Sequence, residues 1–172
     1  MGPTDQQSPA MQGFQSSNGA SDPGEPRARL GPYALLSGAY AAAVGAFVWR
    51  FRGRLPEEIR ARDLALLGVA SHKTSRTIAK DKVTTPVRAP FTEHEGDGGP
   101  GEIEETPRGA GLQHTLGELL VCPFCLDQWV ATGYVAGLVV APRATRFVAS
   151  IMATVAISDF LQIAYKASEE QL

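Results

Sequence analysis

The chain has 172 residues, two cysteines and a formal net charge of -2. That length predicts one domain, and that charge gives no reason to expect nucleic acid as a partner. Two cysteines spaced Cys-x-x-Cys exclude the multi-disulfide framework of small secreted domains.

Residues 1–29 are rich in Gly, Pro, Ser, Gln and Asp and hold little that could be buried. This predicts a disordered tail, because such a composition cannot offset the entropy of ordering. No basic residue directly follows Met1 and no apolar run comes before Leu30, so a signal peptide is not expected.

Between Arg29 and Arg50 there is no charged residue. As a helix at ~1.5 Å per residue the run is ~30 Å long, the thickness of a bilayer core. Tyr33 and Trp49 stand near its ends, where amphipathic rings prefer the headgroup level. Ala34, Gly38, Ala41, Ala42 and Gly45 make a small-residue stripe that admits a neighbouring helix. Gly38 and Ala42 are therefore candidates for pairing with a second copy.

Arg50, Arg52, Arg54, Arg60 and Arg62 follow at once. A cluster of arginines beside a span predicts the cytoplasmic side. Leu55-Pro56-Glu57-Glu58 reads as a helix start, with Pro in the first turn and acids at the positive dipole end. The helix that follows, 60–80, holds only a short apolar stretch. Its Lys73, Arg76 and Lys80 share one face. The expectation is an interfacial or re-entrant helix with its basic face on anionic headgroups. A short fourth span buried among the others is the alternative.

Lys82, Pro86, Arg88 and Pro90 predict extended chain. Residues 92–111 are acidic and glycine-rich, which predicts a flexible loop; a weak cation site at His94 is the sharper reading, without the spacing of an EF-hand.

Leu119 to Pro142 is the next predicted span, with Asp127 its single charge and Gly133-x-x-x-Gly137 a helix-pairing pattern. Pro142 to Arg146 forms a tight turn. Phe147 to Tyr165 is the last span and carries Asp159 inside it. An ionisable residue at membrane depth usually faces the bundle or water, so Asp159 is a candidate functional residue. Arg143, Arg146 or Asp127 is its expected partner, and fixing helix register is the alternative to a functional role. Residues 168–172 are a polar tail.

Several short segments resemble a known family. They are Asp63-Leu64-Ala65-Leu66-Leu67-Gly68-Val69-Ala70, Ser75-Arg76, Lys80-Asp81-Lys82-Val83-Thr84, Arg88-Ala89-Pro90-Phe91, Gly117-Glu118-Leu119-Leu120-Val121-Cys122-Pro123-Phe124-Cys125 and Ser158-Asp159-Phe160. Together they resemble the bacterial domain-of-unknown-function family thirteen-sixty, over about Tyr33 to Tyr165. The resemblance implies a small multi-spanning membrane protein with sporulation-associated relatives. It implies no activity and carries over no catalytic residue.

The cysteine pair allows three roles. Redox work needs an activated thiol, which a helix N-terminus provides. Pro123 in a first helical turn would put Cys122 at the cap and Cys125 one turn in. Zinc needs four ligands, so Cys122 and Cys125 would require His114, Asp127 or a second chain. Plain structural thiols are the third role. The expected fold is an all-α integral membrane bundle of three transmembrane helices plus one interfacial or re-entrant helix, in a membrane domain spanning 30–167. The expected location is the cell membrane, with the N-terminus outside and the Arg50–Arg62 segment and C-terminus cytoplasmic. The expected role is a scaffold or assembly component in the bilayer, with protein partners unspecified and no enzymatic activity assigned. The alternative is a thiol–disulfide oxidoreductase or a redox or metal sensor at Cys122 and Cys125.

Overall fold

The computed structural model describes residues 25–170, so most of the expected tail at 1–29 lies outside the described residues. Helix α1 runs Glu25–Phe51 and α2 runs Ala61–Lys80. A 3-10 turn at Lys82–Thr84 leads into the short α3, Thr85–Arg88. Strands β1, Thr92–Asp97, and β2, Ile103–Pro107, pair antiparallel. Then come α4, Leu112–Val121, α5, Pro123–Val140, and α6, Pro142–Glu169. Pro123 and Pro142 open α5 and α6 because a first helical position needs no N–H and suits the fixed proline φ.

Two helices, at Leu30–Phe51 and Pro142–Glu169, are long and apolar enough to cross a membrane. A third crossing follows if α4 and α5, bent by 85°, count as one span. The expected span at 119–142 is thus two helices, broken where Cys122 takes an extended conformation. The fold is mostly helical rather than purely so, since the expected loop at 92–111 contains the β1–β2 hairpin. The predicted tail at 168–172 begins inside α6.

Helix α2 is the packing centre, not a helix lying apart at an interface. Leu67 and Ala70 are buried against Ala149, with Leu66, Tyr134, Leu138 and Met152 around them. Ala149, Ala153 and Ala156 put small side chains on one face of α6, which lets the two helix backbones approach. The outward side of α6 keeps Phe147, Ile151, Phe160, Leu161 and Ile163 exposed. Helix α1 buries none of its span inside the protein. Apolar surface of this extent marks contact with another apolar phase.

The direction of each helix follows from its polar pairs. Arg146 at the start of α6 holds Asp63 at the start of α2 through two bonds of 2.9 Å. Further along both, Lys73 meets Asp159 at 2.9 Å. The two helices therefore run parallel. Thr74 of α2 meets Tyr134 of α5 at 2.9 Å, while Leu138 joins the core at Leu67, so α5 is antiparallel to both. On α1, Tyr33 meets Glu118 of α4, and Tyr40 meets Thr132 of α5 at 2.8 Å. Helix α1 thus runs with α5. The four long helices alternate in direction along the chain. The C-terminal end of α6 lies away from the Arg50–Arg62 segment, contrary to its expected place on the same side.

The hairpin caps the far end of α2. Arg76 binds Glu102 at 2.7 and 2.9 Å, Lys80 binds Glu104 at 2.7 Å, and Lys82 binds Asp97 at 2.8 Å. The basic face that sequence assigns to lipid headgroups is thereby neutralised by the chain's own acids. At the centre of this cap Arg88 is fully buried and donates to Glu105, to the Ile78 and Asp81 carbonyls and to Thr84 Oγ1. Gly117 lets α4 press on the cap, since a Cβ there would sit 2.5 Å from the Phe91 carbonyl oxygen.

The outer Lys82–Asp97 pair of this cap predicts acid lability. The Lys82 ammonium holds the Asp97 carboxyl below its ordinary 3.8. A depressed folded value stabilises fully above the ordinary one and fades as pH falls through the folded one. Amide protection factors in β1 and β2, each taken against the intrinsic exchange rate at the same pH, should therefore fall at about pH 3 relative to neutral pH, while those in the α2 core hold. Because this pair is exposed, the effect should be small and salt-sensitive. A uniform loss of protection across both regions would refute a locally loosened cap.

Candidate functional site

The cysteine pair stands at the bend between α4 and α5. Cys122 caps α5 with an extended backbone, φ -102° and ψ 102°, and its Sγ accepts the Cys125 N–H at 3.2 Å. Cap and spacing agree with the arrangement expected from Pro123. Both cysteines are free thiols. His114 does not join them: it faces Glu118 at 3.5 Å, one turn along α4. Among the described residues no three His, Cys, Asp or Glu side chains come together as a metal-binding group. His94 lies on β1.

Cys125 opens onto a cleft of about 380 Å³ between α1 and the α4–α5 bend. Tyr33, Tyr40, Glu118, Gln128 and Trp129 line it as well. Tyr40 and Trp129 meet edge to face at 5.0 Å, a favoured aromatic geometry. The cleft joins an aromatic wall to hydrogen-bonding groups. Asp127 keeps Oδ1 buried with no hydrogen-bond partner in the structure.

Asp159 has a partner that sequence reasoning did not name. It is Lys73, itself only 14% exposed and also 4.0 Å from Asp81. Arg146, one of the expected partners, is taken by Asp63. Both pairs join α2 to α6. The expected helix-pairing glycines divide as well. Gly137 faces Thr145 of α6, whose Oγ1 would lie 2.6 Å from an added Cβ, whereas Gly133 and Gly38 face open space.

These features define a mostly helical protein with two or three helices suited to crossing a membrane, one of which, α6, is tied to a polar central helix by ion pairs. The chain belongs to the family described as Protein of unknown function (DUF1360), which matches residues 66–165. The match spans α2 to α6 and leaves out α1, so it is narrower than the resemblance read from Tyr33 onward. The chain is also similar to the sporulation protein YjcA of Bacillus subtilis (strain 168), 26% identical over 102 residues, which are 58% of this chain and 86% of the relative. No solved structure matches.

Proposed function

We propose that the protein is a multi-pass membrane scaffold whose arginine-rich end faces the cytoplasm. The observation that carries this is the alternation of α1, α2, α5 and α6. It gathers Arg50, Arg52, Arg54, Arg60, Arg62, Arg143 and Arg146 at one end. Cationic residues are retained on the cytoplasmic side during insertion. The expected three-span arrangement set Arg143 and Arg146 on the opposite side. Here α2 crosses as a polar inner helix, its charges met by α6 and by the hairpin. The hairpin, the cysteine bend and both ends of the described chain then lie outside.

The likeness to the Bacillus sporulation protein supplies a process and no chemistry. A part in sporulation comes from that likeness. Pairing of two copies through Gly38 and Ala42 on α1, or through Gly133 on α5, fits the exposed positions of those residues. The thiol–disulfide alternative rests on the cysteine pair alone. Zinc at Cys122 and Cys125 would need its other two ligands from a second chain.

Topology reporters test the reading. A reporter within residues 52–60 should give a cytoplasmic signal, and a reporter after Leu172 a non-cytoplasmic one. A cytoplasmic C-terminal fusion would restore the three-span arrangement and sink this one.

A further inference from the structure

We infer that the arginine end is a binding surface for anionic phospholipid headgroups; this rests on the membrane reading above. The distribution of ion pairs carries the inference. At the far end of α2, Arg76, Lys80, Lys82, Arg88 and Arg108 each hold a carboxylate. At the near end, Arg50, Arg52, Arg54, Arg60, Arg62 and Arg143 are all exposed, and none of them has an ion pair among the described residues. Carboxylates at that end are few. Glu57 and Glu58 are exposed in the α1–α2 connection, and Asp63 is occupied by Arg146.

The fold brings these cations together from three places in sequence. Arg50, Arg52 and Arg54 close α1, Arg60 and Arg62 open α2, and Arg143 is one turn before Arg146 in α6. The Asp63–Arg146 pair fixes the last two groups side by side. Trp49, 71% exposed, stands next to Arg50 and marks the headgroup level. Guanidinium forks match phosphate oxygens in geometry as well as charge. A cationic rim beside exposed apolar helices fits a molecule with a phosphate head and an acyl tail. A free phosphate would leave the apolar side of that rim unused.

Trp49 is also the reporter, because the chain has two tryptophans and Trp129→Phe leaves it alone. The full chain carrying Trp129→Phe is reconstituted into vesicles of equal phosphatidylglycerol and phosphatidylcholine. Acyl groups brominated close to the ester carbonyl, within quenching reach of an indole at the headgroup level, are placed on one lipid or the other. The expected result is a preference of roughly fivefold or more for phosphatidylglycerol around Trp49. It should weaken with salt and disappear when Arg50, Arg52 and Arg54 are all replaced by Gln. Equal quenching by both lipids would overturn the inference while leaving the membrane reading intact. Quenching by neither would overturn the membrane reading itself. Loss of the preference to inorganic phosphate, beyond that caused by chloride at matched ionic strength, would also overturn it by assigning the surface to free phosphate. As a measurement independent of Trp129→Phe, wild-type protein purified from an equimolar detergent mixture of the two lipids should retain phosphatidylglycerol in excess. Equal retention would count against the inference.

Discussion

Arg88→Met should destabilise the protein by about 3–5 kcal/mol, the cost of stripping one partner from a buried ion pair. Arg88 is fully buried, and the Glu105 side chain beside it is 3% exposed. Removing the guanidinium leaves that carboxylate without its counter-charge and frees the Ile78 and Asp81 carbonyls that close α2. Arg88→Lys should fail nearly as badly, since an ammonium cannot spread donors over Glu105, Thr84 and two carbonyls at once. The double variant Arg88→Met with Glu105→Leu should recover part of the loss because no orphan charge remains. Thermal unfolding of the purified protein in one detergent, combined with amide exchange in β1 and β2, measures both effects. A double variant as damaged as the sum of its two singles would show that the pair is not coupled.

Arg88 also shows what could be read in advance and what could not. The sequence displays a basic block from Lys73 to Arg88 and an acidic block from Glu93 to Glu105. Taken separately, one looks like a lipid-facing helix and the other like a solvated loop. Their pairing depends on a reversal through Gly98 to Gly101, where Gly101 has φ +79°, and on a two-stranded ladder with few apolar residues. Charged strands of that kind carry little of the β signal that periodicity detects. The apolar helices were legible because length and absence of charge suffice to reveal them. The cap at Cys122 was legible because proline restricts its position in a helix. The helix at 60–80 was legible too, but its central, buried place was not, because its core stripe of Leu67, Ala70, Ser71, Ser75 and Ala79 is small and partly polar. Such a stripe resembles a weak amphipathic surface until a matching alanine face, here on α6, is seen against it.

Lys73→Met should prove more damaging than Asp159→Leu, although the two residues form one ion pair. Each substitution leaves a charge at the depth of an apolar helix, worth roughly 2.5–3.5 kcal/mol on insertion scales. The two orphans differ in what remains to them. Without Asp159, Lys73 still has Asp81 at 4.0 Å. Without Lys73, Asp159 has no other ion-pair partner among the described residues and sits between Ser158 and Phe160 on a helix whose outward face is apolar. Its side chain is 42% exposed by the protein alone, so the surrounding phase decides how much of the cost is felt. In a bilayer the full difference should appear, while a detergent that admits water should shrink it. Asp159→Asn retains an acceptor for the ammonium and should cost less than Asp159→Leu. Lys73→Met combined with Asp159→Leu removes both charges and should recover most of the stability that Lys73→Met loses alone. Thermal unfolding of all four variants in nanodiscs gives the coupling directly. Near-additive single losses would mean that Lys73 and Asp159 stabilise the fold separately, and the α2–α6 junction would then rest on its alanine face and the Asp63–Arg146 pair.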